Sequence, residues 1–315
     1  MTRTTAETAR WRDILAFVVI AFGLAWLVTL PLWLGQGLAE PFALVLLVVM
    51  MFTPAAAALL VVLVIGRGAD PVRRLGIRPF RPARRTLLLC VLGLIGSILL
   101  IVAGVGVSAA LGLVRLDLVD FSGFAELLAA GGAQPEALPP IGLLVLLQVF
   151  ALPIGGIVNG FAAVGEELGW RGYLLPALRT RMGTAPALIL SGAIWGLWHA
   201  PVILLGYNFG RTDLVGVLLM TGACVLLGIL FGWLTIASGN LWPAVFAHGG
   251  LNAAGGLLAL LVAAGEQPDP VVAGPLGLVS WGVMGVVIAA VLAAALAVPR
   301  LRRAVSRPGE PAAQG

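Results

Sequence analysis

Residues 86–112 read TLLLCVLGLIGSILLIVAGVGVSAALG, a stretch without one charged side chain. A helix needs about 20 apolar residues to cross the ~30 Å hydrocarbon core of a bilayer. Seven more stretches of this kind bring the predicted number of spans to eight. They lie at residues 14–35, 42–65, 145–178, 185–206, 214–237, 241–264 and 276–298.

The composition places the chain among membrane proteins. Of its residues 60% are hydrophobic and 10% are charged, whereas a soluble domain has about 25% charged residues. Because lipid cannot satisfy open backbone groups and no period-two alternation is present, the predicted fold is all-α, a polytopic membrane helical bundle. We predict one membrane domain over residues 14–298, a cytoplasmic segment before it (1–13) and a disordered cytoplasmic tail after it (299–315). The connection 113–140 is predicted to hold a short surface helix.

The basic residues predict the orientation. All 19 are Arg, and with eight spans nearly all of them fall on one side of the membrane, opposite mostly acidic loops. By the positive-inside rule both termini are then cytoplasmic. The all-Arg, Ala-, Gly- and Leu-rich composition indicates a GC-rich genome, and we therefore expect the inner membrane of a bacterium. The net charge of +5 indicates contact with anionic lipid headgroups and not with nucleic acid. The clusters are Arg3 to Arg12, Arg67 to Arg85, Arg179 with Arg181, and Arg300 to Arg307.

The fourth span carries the first chemical signal, Gly165-Glu166-Glu167-Leu168-Gly169-Trp170-Arg171. A charge at the bilayer centre costs at least ~2.5–3.5 kcal/mol, so such groups usually face a functional cavity. Glu167 and Arg171 are spaced i,i+4 and can pair. Neighbouring helical residues point ~100° apart, which leaves Glu166 free to meet a histidine. Starting from residue 141, this span is too long for one straight crossing, and we predict a kink or break near Pro153–Gly156.

The chain has two histidines, and both lie in predicted spans. Glu166 lies before the turn at Gly183, and His199 lies after it by nearly the same number of residues. Both therefore lie ~25 Å from that turn along their helices and can face each other. Trp195, one turn before His199, would form an apolar wall. Two carboxylates, two imidazoles, an amide and a guanidinium make a plausible hydrolytic centre.

His248 and Asn252 are also spaced i,i+4 and share a face, and Gly249-Gly250 between them permits a close approach of another helix or a substrate. Asn252 can donate to a developing oxyanion or, alternatively, to a neighbouring helix. Counted from Leu241, where the span begins, His248 lies at a shallower depth than His199. A tilted helix or a deeper connecting loop would remove the mismatch.

Together the motifs Glu-Glu-x-x-x-Arg, aromatic-x-x-x-His and His-x-x-x-Asn, in this order over residues 160–255, resemble the CPBP intramembrane protease family. That family includes the type II CAAX prenyl endopeptidases and the lysostaphin-resistance-like proteins. Trp195 stands where the family often has Phe. The resemblance implies an endopeptidase that acts on membrane-associated or lipid-anchored peptides and proteins.

By the same resemblance, Glu166 is the general base, His199 and His248 orient the water and the scissile carbonyl, and Asn252 stabilises the oxyanion. Arg171 would fix Glu167 in a supporting position. The resemblance leaves open whether Glu166, His199 and His248 hold a Zn2+ ion, because two His and one Glu are a minimal zinc set but no His-Glu-x-x-His signature is present.

Two other classes of function use similar residues. A proton- or ion-coupled transporter could use the buried Glu and His side chains as a relay, although most other spans contain few polar groups. A non-catalytic membrane chaperone or immunity protein could retain the cluster for structure alone.

Overall fold

A computed structural model describes residues 9–65, 70–80, 82–134 and 138–297, and within them the chain is helical apart from turns and one isolated bridge. The N-terminal residues 1–8 and the whole predicted tail, 299–315, lie outside the described residues. A π-helical turn at Val61–Ile65 extends the second span, and another, at Leu168–Leu174, joins α7 to α8. The helices are α1 Trp11–Leu34, α2 Ala43–Met51, α3 Thr53–Leu60, α4 Pro71–Arg74, α5 Ala83–Ala110, α6 Ser122–Ala130, α7 Ile141–Glu167, α8 Leu175–Met182, α9 Thr184–Trp198, α10 Ala200–Ile203, α11 Leu214–Ser238, α12 Trp242–Ala254, α13 Leu257–Leu261 and α14 Leu278–Ala297.

The predicted polytopic helical bundle is confirmed, but the predicted count of eight spans is wrong. Within the described residues, six helices are long and apolar enough to cross a membrane. The predicted spans around α9 and α14 form shorter apolar helices, Thr184–Trp198 and Leu278–Ala294. Helix α9 stops at Trp198, close to Pro201, which has no N–H to donate to the carbonyl one turn earlier. The six are Trp11–Leu34, Ala43–Ile65, Ala83–Ala110, Ile141–Met182, Leu214–Ser238 and Trp242–Leu261.

Helix α9 and the short α10 lie alongside α1. At one end, next to the turn between α8 and α9, the backbone N–H of Ala9 donates to Thr180 Oγ1 of α8 over 3.2 Å. At the other end Trp33 Nε1 donates to the carbonyl of Pro201 over 2.9 Å. The α9–α10 pair therefore covers about the same distance as α1, and the residue between the two short helices is His199.

Helix α7 is continuous through Pro153, so of the predicted kink or break near Pro153–Gly156 the break is wrong and the kink stays a prediction. Proline is tolerated in membrane helices when neighbouring groups satisfy the freed backbone. The helix changes instead to π geometry after Glu167, where it packs on the second span. A Cβ on Gly165 would lie 2.6 Å from the Met51 carbonyl oxygen, and one on Gly169 would lie 2.8 Å from that of Pro54. Larger residues at these positions would push the two spans apart.

Helix α12 packs between α5 and α7 through glycines, as the sequence predicts. A Cβ on Gly249 would lie 2.7 Å from the backbone nitrogen of Gly160, and one on Gly250 would lie 2.6 Å from the carbonyl oxygen of Leu94. Such close helix contacts are typical of small residues in membrane bundles. They hold His248 against the carboxylates of α7.

The predicted surface helix of the 113–140 connection is confirmed as α6. Residues 111–130 and 262–277 form a small layer at the end of the bundle, which we call the cap. Its two segments are joined by a bridge between Leu116 and Val262, by a hydrogen bond from the Ala264 N–H to Ser122 Oγ and by an ion pair of Arg115 with Glu266.

Candidate active site

Six of the seven predicted site residues are buried at one place in the bundle, between α7, α9 and α12. The exception is Asn252, whose side chain is exposed one turn beyond His248. The buried six are Glu166, Glu167, Arg171, Trp195, His199 and His248, none more than 9% exposed.

Glu167 joins two helices through one oxygen. Its Oε1 accepts from Arg171 Nη1 over 2.9 Å, which is the predicted i,i+4 pair, and from His248 Nδ1 over 2.9 Å. The guanidinium of Arg171 stacks 4.1 Å above the Trp195 ring. The carboxylate that bonds directly to a histidine is therefore Glu167, whereas the sequence assigned that contact to Glu166.

Glu166 is held by an indole. Trp195 Nε1 donates to Glu166 Oε2 over 2.6 Å, so Trp195 is more than the predicted apolar wall. The hydrogen bond fixes the carboxylate without neutralising it, since an indole can only donate. The ring of Trp195 also lies 5.9 Å from the His199 ring and 5.4 Å from the His248 ring, so the indole that holds Glu166 packs against both imidazoles.

Both imidazoles are anchored through Nδ1. His199 Nδ1 lies 2.9 Å from the carbonyl oxygen of Trp195, and His248 Nδ1 lies 2.9 Å from the Glu167 carboxylate. A carbonyl or ionised carboxylate oxygen can only accept, so each Nδ1 carries a proton, and a ring that is neutral in this orientation keeps its lone pair on Nε2. Two bases are thereby held in a fixed tautomer, with Nε2 available for chemistry.

The apparent depth mismatch of His248 is resolved by the loop after α4. The Leu241 N–H donates to the Gly76 carbonyl over 2.9 Å, and a Cβ on Gly76 would lie 3.6 Å from Gly172 Cα. Helix α12 therefore begins level with Gly172, only five residues after Glu167, while α8 continues past this level. Of the two alternatives, the deeper connecting loop is the one found.

Phe231 completes the aromatic wall of the site, and sequence reasoning missed it. Its ring lies 5.3 Å from the Arg171 guanidinium carbon and 5.8 Å from the His248 ring, and the side chain is buried. It sits among many apolar residues of α11, and nothing in the local pattern distinguishes it from a residue that faces lipid.

The arrangement does not form a metal-binding group. Over the ranges that the structure describes, no three His, Cys, Asp or Glu side chains are grouped closely enough to hold an ion. The Nδ1–H groups do fit the usual orientation of metal-ligating histidines, but the third ligand is not brought to a common point with them. Zinc binding by Glu166, His199 and His248 stays one of the two alternatives that the sequence leaves open.

Fold and site together define a polytopic helical membrane protein whose buried centre combines carboxylates with imidazoles. Residues 146–254 match the family model of the type II CAAX prenyl endopeptidases, Rce1-like, and this segment contains every predicted site residue. The segment is similar to that family over these residues, which confirms the resemblance drawn from the motifs.

A curated relative points to the same family. The chain is similar to a protein named CAAX prenyl protease 2 from Methanococcus maripaludis, with 32% identity over 93 residues. The match covers 23% of this chain and 34% of the relative. The chain thus spans about a third of the length of the curated relative it matches.

Proposed function

We propose that this protein is an intramembrane endopeptidase that hydrolyses a peptide bond in membrane-associated or lipid-anchored peptides or proteins. The observation that carries the proposal is the buried Trp195, which donates to Glu166 and whose ring lies 5.9 Å from the His199 ring and 5.4 Å from the His248 ring. Both imidazoles have Nδ1 held by an acceptor. The family match and the name of the relative from Methanococcus maripaludis support the same reaction class.

In the proposed mechanism Glu166 is the general base. It takes a proton from a water molecule, whose oxygen then attacks the scissile carbonyl carbon. Protonated Glu166 returns that proton to the leaving amine when the carbon–nitrogen bond breaks. The bond from Trp195 keeps the carboxylate at the position where it meets the water.

The two histidines orient the reacting groups through Nε2, and Asn252 donates to the oxyanion of the tetrahedral intermediate. For Asn252 this requires its exposed side chain to turn towards the substrate. Glu167 holds the His248 ring, and Arg171 in turn holds Glu167. No step of this mechanism passes through a metal.

Metal analysis of the purified protein tests whether the mechanism works without a metal. Full activity after dialysis against a chelator, without bound zinc, is the expected result. Stoichiometric zinc that is lost together with activity would contradict the metal-free mechanism.

We further propose that both termini are cytoplasmic. The carbonyl of Ala9 accepts from Arg181 Nε, so the first span begins at the same end of the bundle as the Arg179–Arg181 turn. The Arg-bearing loop around Gly76 also lies at this end, next to Leu241. Such a one-sided arginine surface favours anionic headgroups of the inner leaflet. The bilayer is accordingly the one permanent partner we assign.

The experiment is cleavage of a library of fluorogenic membrane-anchored peptides by the protein in nanodiscs. We expect Glu166→Gln to lower turnover by a factor of about 10²–10⁴, since it removes the general base and keeps the side-chain shape. Glu266→Gln, in the cap, is the matched control and should cleave like the wild type. Equal turnover in all three would overturn the assignment of Glu166, and proton movement without cleavage would favour a transport relay.

A further inference from the structure

A second aromatic residue, Trp198, contacts His199, and its hydrogen-bond partner lies in the second span and not among the carboxylates. The Trp198 ring lies against the His199 ring with centroids 4.7 Å apart in an edge-to-face arrangement. Trp198 Nε1 donates to Thr53 Oγ1 over 3.2 Å. Both Trp198 and Thr53 are buried, so this hydrogen bond joins the second span directly to the residue that flanks His199.

His199 needs such support because of its place in the chain. It lies between the end of α9 and the start of α10, where Pro201 interrupts the regular helix. Its Nδ1 contact with the Trp195 carbonyl fixes one edge of the ring. Trp198 limits rotation of the imidazole from the other direction, provided that the indole itself keeps one orientation.

The position of Thr53 is set by the same packing that positions the carboxylates. Thr53 opens α3 directly after the break at Phe52. Gly165 and Gly169, which flank the two glutamates, contact this break through Met51, Phe52 and Pro54. The hydroxyl is therefore fixed relative to Glu166 as well as to Trp198.

We propose that Thr53 is a positioning residue for His199 and acts through the Trp198 indole. Its hydroxyl oxygen holds the indole N–H, the indole edge restrains the imidazole, and the imidazole keeps Nε2 turned to the site. The catalytic consequence rests on the proposed function, but the positioning itself does not. A threonine that only filled space would be replaceable by valine.

Two substitutions at Thr53 separate the hydroxyl from the volume. Thr53→Val keeps the shape and removes the acceptor, which leaves a buried indole N–H without a partner. Thr53→Ser keeps the hydroxyl and removes a methyl group. If the hydroxyl positions His199, the serine variant behaves like the wild type and the valine variant does not.

The readout is nitrogen NMR of the full chain in nanodiscs with labelled histidine. The protein has two histidines, so His248→Gln leaves the ring of His199 as the one imidazole observed. We expect a single Nδ1–H tautomer in the parent and in Thr53→Ser. When Thr53→Val is added to His248→Gln, we expect a mixture of tautomers or ring orientations of His199. When Thr53→Val is made in the chain that retains His248, we expect about tenfold lower turnover and an almost unchanged KM.

Trp198→Phe provides a second route to the same answer if Thr53→Val does not fold. It removes the indole donor while Thr53 is intact, and we expect the same change in the His199 signal. Adding Thr53→Val to it should then cause little further change, because the two residues act through one bond.

An unchanged His199 spectrum in Thr53→Val or in Trp198→Phe would overturn the proposal. The NMR result stands even if no peptide is cleaved by the wild type, so failure of the proposed function and failure of this inference are distinguishable.

Discussion

Two Arg–Glu ion pairs of nearly equal length lie in very different parts of this molecule. Arg171 Nη1 and Glu167 Oε1 are 2.9 Å apart in the candidate active site, with side chains 2% and 0% exposed. Arg115 Nε and Glu266 Oε1 are 2.7 Å apart in the cap, with side chains 74% and 20% exposed. Distance alone would rank the two pairs together, and their surroundings separate them.

The two ion pairs differ in whether water can replace the partner of each charge. In the cap, water and salt compete for both charges, and such pairs contribute little to stability. In the site, neither charge can exchange its partner for water, so loss of one leaves the other stranded. The buried pair also has a third member, because Glu167 Oε1 holds His248 Nδ1.

The largest effect is expected for Glu167→Ala. It strands the Arg171 guanidinium beside Trp195, and the free energy of unfolding should fall by about 3–5 kcal/mol. His248 loses its acceptor as well, so hydrolysis should be lost. Unfolding in mixed micelles by denaturant measures the change, with Glu266→Ala as the control that stays close to the wild type. Equal destabilisation by both variants would contradict the distinction between the buried and the exposed ion pair.

Replacing both members of the buried pair should separate stability from function. Glu167→Leu combined with Arg171→Met removes both charges and keeps apolar volume, and such replacements are often neutral or stabilising. We expect the free energy of unfolding to recover most of the loss seen in Glu167→Ala. Peptide cleavage should not recover, because His248 still lacks the carboxylate. Recovered cleavage would mean that the pair serves only the fold.

A smaller effect is expected for Arg171→Lys. The charge is kept, but the planar group that stacks 4.1 Å from Trp195 is replaced by a compact ammonium with different donor geometry. Loss of the stacking should cost about 1–2 kcal/mol, and Trp195 should hold Glu166 less firmly. Thermal unfolding and turnover measure the two consequences. Arg115→Lys is the matched control, and an equal response in the cap would contradict the role given to the aromatic stack.

The sequence predicts the local half of this network and misses the half that depends on packing. Glu167 and Arg171 pair as expected because an i,i+4 contact needs only a helix. The bonds of Trp195 to Glu166 and of His248 to Glu167 join different helices, and their choice of carboxylate depends on how α9 and α12 rotate against α7. Spacing alone could indicate that the residues meet, but not which oxygen each one contacts.

The errors in the fold have the same origin. Hydropathy locates the apolar segments, but not the end of α9 at Trp198, close to Pro201. The unbroken path of α7 through Pro153 depends on its neighbours, and so does the depth of Leu241, which is set by the loop around Gly76. Phe231 is missed because no polar atom marks it, and its importance comes only from its contact with Arg171.

The smallest effect is expected in the cap, and it is sensitive to pH. The hydrogen bond from the Arg115 side chain, followed by that from its backbone N–H, holds the pKa of Glu266 below its ordinary value. A depressed carboxyl pKa stabilises the folded cap at pH above about 4.3, the usual value for an unfolded glutamate. The contribution is lost as the pH falls through the lower folded value.

Hydrogen exchange of the cap amides, corrected for the intrinsic effect of pH, measures this change. The wild-type cap should open more readily as the solution is acidified from neutral pH to below the pKa of Glu266. Arg115→Ala should show a flatter dependence and leave the exchange of α7 and α12 unchanged, because the buried pair does not sense the cap. A parallel loss of protection around Glu167 would mean that the two ion pairs are coupled, and the contrast drawn between them would fail.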